Sequence, residues 1–252
     1  MNNFADILAS EWVKIRSVRS TYWNLIILFV LTVGLGALIA SVMSVQGGED
    51  GPSGSAAELS LVGTYFGVVA VVALGALVIT AEYSTGMIRT SLTTVPRRIP
   101  FLSGKAVVLF ALVFVIGAVA CFLAYLISRP IFANKGLPSS LGDPGVLRII
   151  LGGGLYLAVT AIFTFALGAI LRQTAGVITI MLGLLFVAPV IAQFLPASLP
   201  IGKYLPDRLG QGIMALTTAE GALSPWAGFF LYCGYTIVLL AIAFYLTEKR
   251  DA

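Results

Sequence analysis

Residues 106–127 of the chain, AVVLFALVFVIGAVACFLAYLI, contain no charged residue. As a helix, this stretch is long enough to cross the hydrocarbon core of a bilayer, which takes about 20 apolar residues. Similar runs recur along the 252-residue chain, which is 59% hydrophobic and only 10% charged. Soluble domains are about 25% charged. The chain is therefore predicted to be an integral membrane protein.

The apolar runs predict helices and not the strands of a membrane barrel. None of them alternates polar and apolar residues, so helices are the remaining way to satisfy the backbone in lipid. The predicted fold class is an all-α integral membrane protein, with one transmembrane domain over residues 1–252. The six predicted spans are residues 21–43, 60–80, 101–127, 146–170, 174–195 and 226–246.

Basic residues beside the spans predict the orientation of the chain. Ten Lys and Arg residues fall on the side of both termini, and five fall on the other side. Cytoplasmic segments carry the excess of Lys and Arg, so both termini are predicted to be cytoplasmic. The loop at 128–145 disagrees locally, but the first span and its flanks usually dominate. Because the basic residues flank spans and form no single face or tail, no nucleic-acid partner is predicted.

Cysteine labelling tests this orientation. In a variant without Cys121 and Cys233, Ser53→Cys is expected to react with a membrane-impermeant maleimide added to intact cells. Thr94→Cys is expected to react only after permeabilisation, because the charge count places it inside. Labelling of Thr94→Cys from outside intact cells would contradict the six-span topology.

The sequence points to no catalytic residue, metal site or cofactor. The chain has no histidine, which removes imidazole metal sites, Ser-His hydrolases and histidine proton relays. Cys121 and Cys233 lie in apolar runs, where cysteine usually behaves as a small hydrophobe. The phosphate-binding pattern G-x-x-x-x-G-K-[ST] is absent from the sequence, since Gly104-Lys105 lacks its upstream glycine and its hydroxyl residue. We therefore expect no enzyme activity in this chain, and any ATP would be bound by a different one.

Ion-coupled carriers usually need ionisable groups at membrane depth, where each costs about 2.5–3.5 kcal/mol. We interpret the six spans as free of such groups, with Glu82, Arg129 and Glu248 at span ends. This pattern argues against a carrier. It also argues against an intramembrane protease, which would need paired aspartates inside the spans.

Segment 1–20 predicts an amphipathic helix on the membrane surface. One face is polar, and the other carries apolar residues at helical spacing. The apolar residues are Phe4, Ile7, Leu8, Trp12 and Ile15. Two interpretations stay open, a plain membrane anchor and a functional elbow.

Segment 81–100, between the second and third spans, carries the most specific pattern. Residues 82–98 read EYSTGMIRTSLTTVPRR. Ile88, Leu92 and Val95 share a helical face, Gly86 permits a sharp entry and Pro96 ends the helix. The pattern predicts a short amphipathic helix parallel to the membrane on its cytoplasmic side.

These residues closely resemble the pattern E-Y-x-x-G-x-x-R-x-x-L-x-x-x-P-R-R of type-2 ATP-binding-cassette permeases, particularly those of high-GC Gram-positive bacteria. The start, EWVKIRS at residues 11–17, is similar to the family's E-x-x-K-x-R opening. The end, Lys249-Arg250-Asp251, resembles its R-R-D tail.

The resemblance implies the permease subunit of an exporter in a bacterial plasma membrane. Two permease copies, identical or paired with a homologue, would enclose the path of an unidentified substrate in the lipid bilayer. The loop would be a coupling helix seated in a cleft of a separate cassette ATPase. The implied coupling residues are Glu82, Tyr83, Gly86, Ile88, Arg89, Leu92, Val95, Arg97 and Arg98, and the elbow residues are Glu11, Trp12 and Lys14.

Two alternatives to this function stay open. One is a non-transporting membrane scaffold or immunity-type protein, and the other, ranked third, is an ion-coupled carrier. Glu82 also has a second interpretation, as an interfacial acid whose arginine neighbours only signal topology.

Segment 196–225 is predicted to be extracellular. The resemblance implies short, partly re-entrant helices before the last span. Leu209, Ile213 and Leu216 give this segment an apolar face. An amphipathic surface loop is the alternative.

Overall fold

A computed structural model describes residues 4–43, 55–86, 98–194, 200–216 and 223–249. Within these ranges every regular element is a helix and no strand forms, so the all-α prediction is confirmed. Residues 87–97 lie outside the described ranges, and with them the predicted coupling helix, including Ile88, Arg89, Leu92, Val95 and Arg97. Arg98 begins the third long helix, but its side chain is not among the described ones.

Six helices are long and apolar enough to cross a membrane, as predicted. We number them span 1 to span 6: Arg19–Val42, Thr64–Ser84, Ile99–Ala133, Val146–Leu171, Thr174–Gln193 and Pro225–Lys249. Spans 1 and 5 each contain a π-helical turn, at Leu31–Leu35 and Gly183–Val187.

Two predicted span boundaries are wrong. The residues before Thr64 form a separate short helix, Ala56–Ser60, because Ser55 and Glu58 make a capping box that begins it. Span 3 continues past residue 127 to Ala133, through Pro130. Proline removes one backbone hydrogen bond there, and the helix still runs on for about one further turn.

The prediction of spans free of ionisable side chains is wrong for span 3 and span 4. Lys105 lies about 9 Å along span 3 from Ile99, at 1.5 Å per residue, and is buried. Arg148 lies in the first turn of span 4, and its Nη2 donates to the carbonyl oxygen of Ala215 at 2.9 Å. Both side chains have polar partners inside the protein, which offsets the cost of placing them in an apolar helix.

Span 4 lies at the centre of the bundle, because 78% of its apolar stretch is buried inside the protein. Gly152, Gly153 and Gly154 allow its neighbours to approach closely. A Cβ at Gly154 would lie 2.8 Å from the Ala118 nitrogen of span 3, and one at Gly153 would lie 2.7 Å from the Cys121 sulfur. By contrast, less than a quarter of the apolar stretch is buried in each of spans 1, 5 and 6.

The segment before span 6 packs into the bundle. It contains the helix Pro206–Gln211 and the short 3-10 helix Gly212–Met214. Leu209 and Ile213 of its predicted apolar face are buried, and the backbone N–H of Leu216 donates to the Glu58 carboxylate. This segment therefore closes the end of the bundle opposite the N-terminal helix.

Candidate functional site

Four charged side chains from three segments meet at one end of the bundle. Glu11 and Lys14 come from the N-terminal helix, Phe4–Ser17. Glu82 lies in the last turn of span 2, and Lys105 lies near the beginning of span 3. We call Glu11, Lys14, Glu82 and Lys105 the ion cluster. The ion cluster joins the two helices that border residues 87–97.

Lys105 is the centre of the ion cluster. Its Nζ donates to Glu11 Oε2 at 2.5 Å and to Glu82 Oε1 at 2.8 Å. Lys14 Nζ donates to Glu11 Oε1 at 2.7 Å and lies 3.9 Å from Glu82 Oε1. The Glu11 and Lys105 side chains are only 1% and 3% exposed. Two acids and two bases therefore balance one another, with Glu11, Glu82 and Lys105 buried and Lys14 partly exposed.

Such an arrangement specifies geometry more than it adds stability. Removing ions from water costs several kcal/mol each, and their attraction offsets this only when the hydrogen bonds are good. Once formed, a buried pair is difficult to separate, because loss of one partner leaves an uncompensated charge at a cost of about 3–5 kcal/mol. The ion cluster should thus hold its three segments together as one unit.

The local sequence explains how the N-terminal helix reaches span 3. Ile7, Glu11 and Ile15, four residues apart, form its buried face. Gly104 lets this face pack closely against span 3, because a Cβ at position 104 would lie only 2.7 Å from Ile7 Cγ2. The Gly104-Lys105 pair therefore provides a close helix contact followed by an ion pair.

The structure brings together some of the proposed elbow residues and not others. Glu11 and Lys14 belong to the ion cluster. The side chain of Trp12 is exposed and lines an apolar groove of about 460 Å³ between this helix and spans 1 and 3. The predicted apolar residues divide between two faces: Ile7 and Ile15 pack inside the protein on either side of the buried Glu11, whereas Phe4 and Trp12 are exposed on its surface.

Tyr83 connects the end of span 2 to the turn between spans 4 and 5. The Arg172 guanidinium lies over the Tyr83 ring, 4.8 Å from its centroid. One turn earlier, Thr80 Oγ1 and Thr174 Oγ1 are 2.7 Å apart and hydrogen-bonded. Gly86 has a positive φ of 71°, the left-handed conformation that favours glycine where the chain leaves the helix.

Lys105 and Arg172 are the site residues that the sequence did not single out. Both belong to the ten basic residues on the side of the two termini that predict the orientation of the chain. A lysine inside an apolar run was the available clue for Lys105, because ionisable residues in spans usually have a partner within the protein. Arg172 carries no comparable signal, since it lies between two spans where basic residues are common.

A second buried polar group lies at the opposite end of the bundle. Asp207 Oδ1 accepts hydrogen bonds from the Tyr156 hydroxyl at 2.8 Å and from Gln211 Nε2 at 2.7 Å. Burial raises the pKa of Asp207 to about 6, against the opposing effect of these two hydrogen bonds. Together with Tyr65 and Arg208, Asp207 and Gln211 line a cavity of about 240 Å³. These contacts fix the segment before span 6 onto span 4.

Among the described residues, no group of three or more acidic or cysteine side chains is placed to hold a metal ion. The candidate site is therefore an arrangement of ion pairs and helix contacts.

Residues 35–252 match the sequence model of a family described as "Protein of unknown function (DUF2705)". The match includes Glu82 and Lys105 of the ion cluster, and Glu11 and Lys14 precede it. None of the curated proteins matches the chain.

Proposed function

The chain belongs to this DUF2705 family, and we propose that it is the transmembrane permease subunit of an ATP-driven exporter. In this proposal a separate cassette ATPase binds the loop that follows span 2. Two permease copies, identical or homologous, form the substrate path between them in a bacterial plasma membrane, with both termini in the cytoplasm.

The ion cluster is the observation that carries this proposal. Glu82 and Lys105, five residues before and eight residues after the segment 87–97, are bonded to each other at 2.8 Å. Glu11 bonds to the same lysine. A force that a partner applies to the loop would therefore act on spans 2 and 3 and the N-terminal helix together, as coupling to an ATPase requires.

The contacts of Tyr83 extend this connection. Through Arg172 and the hydrogen bond between Thr80 and Thr174, the end of span 2 also meets the turn that begins span 5. Movement of the loop would thus reach spans 2, 3, 4 and 5. A residue that only signals topology does not need such contacts.

The distribution of burial supports a path between two copies. Span 4 fills the centre of the chain, whereas spans 1, 5 and 6 are mostly exposed. A second copy could cover one of these surfaces, and lipid could cover the rest.

The charge of Glu82 provides the test. We expect purified chain to hydrolyse no ATP alone, and to co-purify with a cassette ATPase from its own cells. Glu82→Gln keeps the shape of the side chain but removes one of the two anions that Lys105 binds. We expect the ATPase to remain bound within about twofold, while substrate efflux per ATP hydrolysed falls by about tenfold, or 1.4 kcal/mol.

Glu248→Gln is the matched control, because Glu248 is an exposed acid at the last turn of span 6. This control should leave efflux and hydrolysis unchanged. Unchanged efflux in Glu82→Gln would refute the coupling role of the ion cluster. Failure of the wild-type chain to bind any cassette ATPase would instead favour the scaffold or immunity-type function.

A further inference from the structure

The cavity beside Asp207 lies between spans 2 and 5 and the helix Pro206–Gln211, and we call it the Asp207 cavity. Its lining residues are Tyr65, Val68, Leu185, Phe186, Pro189, Asp207, Arg208 and Gln211. Tyr65 and Phe186 are exposed, so the cavity opens at the protein surface. Tyr65 is the second residue of span 2, and Pro189 lies four residues before the end of span 5. At 1.5 Å per residue, both lie within about 6 Å of the span ends, which is the depth of the lipid head groups.

One carboxylate oxygen of Asp207 is available to a ligand. Oδ1 accepts the hydrogen bonds from Tyr156 and Gln211. Oδ2 receives no hydrogen bond from the described residues and, unlike the sealed Oε2 of Glu82, keeps accessible surface. Burial raises the pKa of Asp207 to about 6, so the carboxylate is still ionised at neutral pH. A charged acceptor that is largely buried and has no donor is costly, so a donor in the cavity would be bound favourably.

Arg208 brings the opposite charge to the same cavity. Its side chain is exposed, and with the part of the chain that the structure describes it makes no hydrogen bond and no ion pair. Asp207 and Arg208 therefore do not bind each other, although they are neighbours in the chain. A guanidinium group binds phosphate through two parallel N–H groups. The cavity thus presents an acceptor for a cation and a donor for an anion.

Charge and size decide the ligand. A purely cationic or purely anionic ligand would be repelled by one of the two side chains, whereas a zwitterion is attracted by both. A cavity of about 150 Å³ holds benzene, so one of about 240 Å³ accommodates about ten non-hydrogen atoms. Phosphoethanolamine has about eight such atoms and a phosphocholine group about eleven, so only the smaller one fits this volume. Phosphocholine also lacks an N–H group that can donate to Asp207 Oδ2.

We propose that the Asp207 cavity binds a phosphoethanolamine group whose ammonium donates to Asp207 Oδ2 and whose phosphate accepts from Arg208. The depth of the cavity, level with the head groups, identifies a membrane lipid as the source of this group. Its two-carbon link would lie against the carbon atoms of Val68 and Pro189. This site goes beyond the proposed function, because it requires neither an ATPase nor transport.

Lipids that differ only in their head groups test both contacts. The delipidated full-length chain in detergent micelles is titrated with dioleoyl phosphatidylethanolamine, phosphatidylcholine or phosphatidylglycerol, and bound lipid is counted by native mass spectrometry. Phosphatidylcholine lacks the donating N–H groups, and phosphatidylglycerol lacks the cation. Because hydrogen bonds to charged groups are the stronger ones, we expect phosphatidylethanolamine to saturate one site at least about tenfold more tightly than either.

Three variants locate the site. Arg208→Gln removes the guanidinium and should weaken phosphatidylethanolamine binding by about tenfold. Lys203→Gln is the matched control, because it removes an exposed positive charge from the same segment but does not line the cavity. This control should leave binding unchanged. Asp207→Asn replaces a carboxylate oxygen with an amide donor and should bring phosphatidylethanolamine and phosphatidylcholine to within about twofold of each other.

The wild-type chain and the pair at positions 203 and 208 decide the question even if Asp207→Asn fails to fold. Equal binding of phosphatidylethanolamine and phosphatidylcholine by the wild-type chain would overturn the ammonium contact with Asp207. Equal phosphatidylethanolamine binding by Arg208→Gln and Lys203→Gln would overturn the phosphate contact. Soluble glycerophosphoethanolamine is expected to bind at least about tenfold more weakly than the lipid, because it lacks the acyl chains. Binding as tight as that of the lipid would overturn the assignment to a membrane lipid.

Discussion

Lys105→Met is expected to destabilise the chain by about 3–5 kcal/mol, because it leaves Glu11 and Glu82 without their shared buried cation. The measurement is the free energy of unfolding in mixed micelles with increasing denaturing detergent. Lys203→Met is the matched control, since Lys203 is exposed on the segment before span 6. This control should change the free energy by less than about 0.5 kcal/mol.

The loss should be recovered when the acids are neutralised as well. Lys105→Met combined with Glu11→Gln and Glu82→Gln removes the uncompensated buried charges. Replacing a buried set of ion pairs by uncharged residues of similar volume often leaves the free energy of unfolding unchanged. We therefore expect the triple variant to unfold within about 1 kcal/mol of wild type. If Lys105→Met alone unfolds like wild type, the ion cluster does not hold the three segments together.

Leu92→Asp is expected to abolish binding of the cassette ATPase. Under the proposed function, Leu92 lies on the docking face of the loop with Ile88 and Val95. Burying an unpaired carboxylate there costs several kcal/mol, and 2–3 kcal/mol already lowers an affinity by about 30- to 150-fold. Pull-down of the ATPase from membranes, at equal permease expression, measures the loss.

Thr94→Asp is the matched control for Leu92→Asp. It adds the same charge two residues away, which on a helix is a different face. ATPase binding should survive there, and neither variant should alter the free energy of unfolding. Retention of full ATPase binding by Leu92→Asp would remove the docking helix from the proposed function and favour a scaffold.

The two variants therefore separate folding from partner binding. Lys105→Met acts on the contacts inside the chain, and Leu92→Asp acts on the surface that a partner would use. A stable chain that loses its partner and an unstable chain that keeps it are opposite results. The first result identifies a lost partner surface, and the second identifies lost contacts inside the chain.

The number of spans was predictable because it depends on the length of apolar runs alone. The stretch at 106–127 crosses a bilayer whatever it packs against. The beginning of span 2 was less predictable, since the chain turns at residues 61–63, between the short capped helix Ala56–Ser60 and span 2. Local hydrogen bonds therefore set boundaries that hydropathy does not detect.

The candidate site was predictable only where its signal is local in the chain. Glu82 and Gly86 belong to a compact pattern. Lys105 pairs with Glu11 across 94 residues, and Asp207 bonds to Tyr156 across 51 residues, so no spacing rule connects them. Counting lysines as orientation signals also assumes that each one is solvated, which the buried Lys105 is not.

The order of the ion cluster along the chain affects how the protein is made. Glu11 leaves the ribosome first, Glu82 follows with span 2, and Lys105 arrives last with span 3. Both acids are therefore at the membrane surface before the lysine of span 3 must enter it. An unpaired lysine inside a span would cost about 2.5–3.5 kcal/mol at the helix centre. Synthesis in this order lets Lys105 find both of its acids already in place when span 3 is inserted, so this end of the bundle can assemble as translation proceeds.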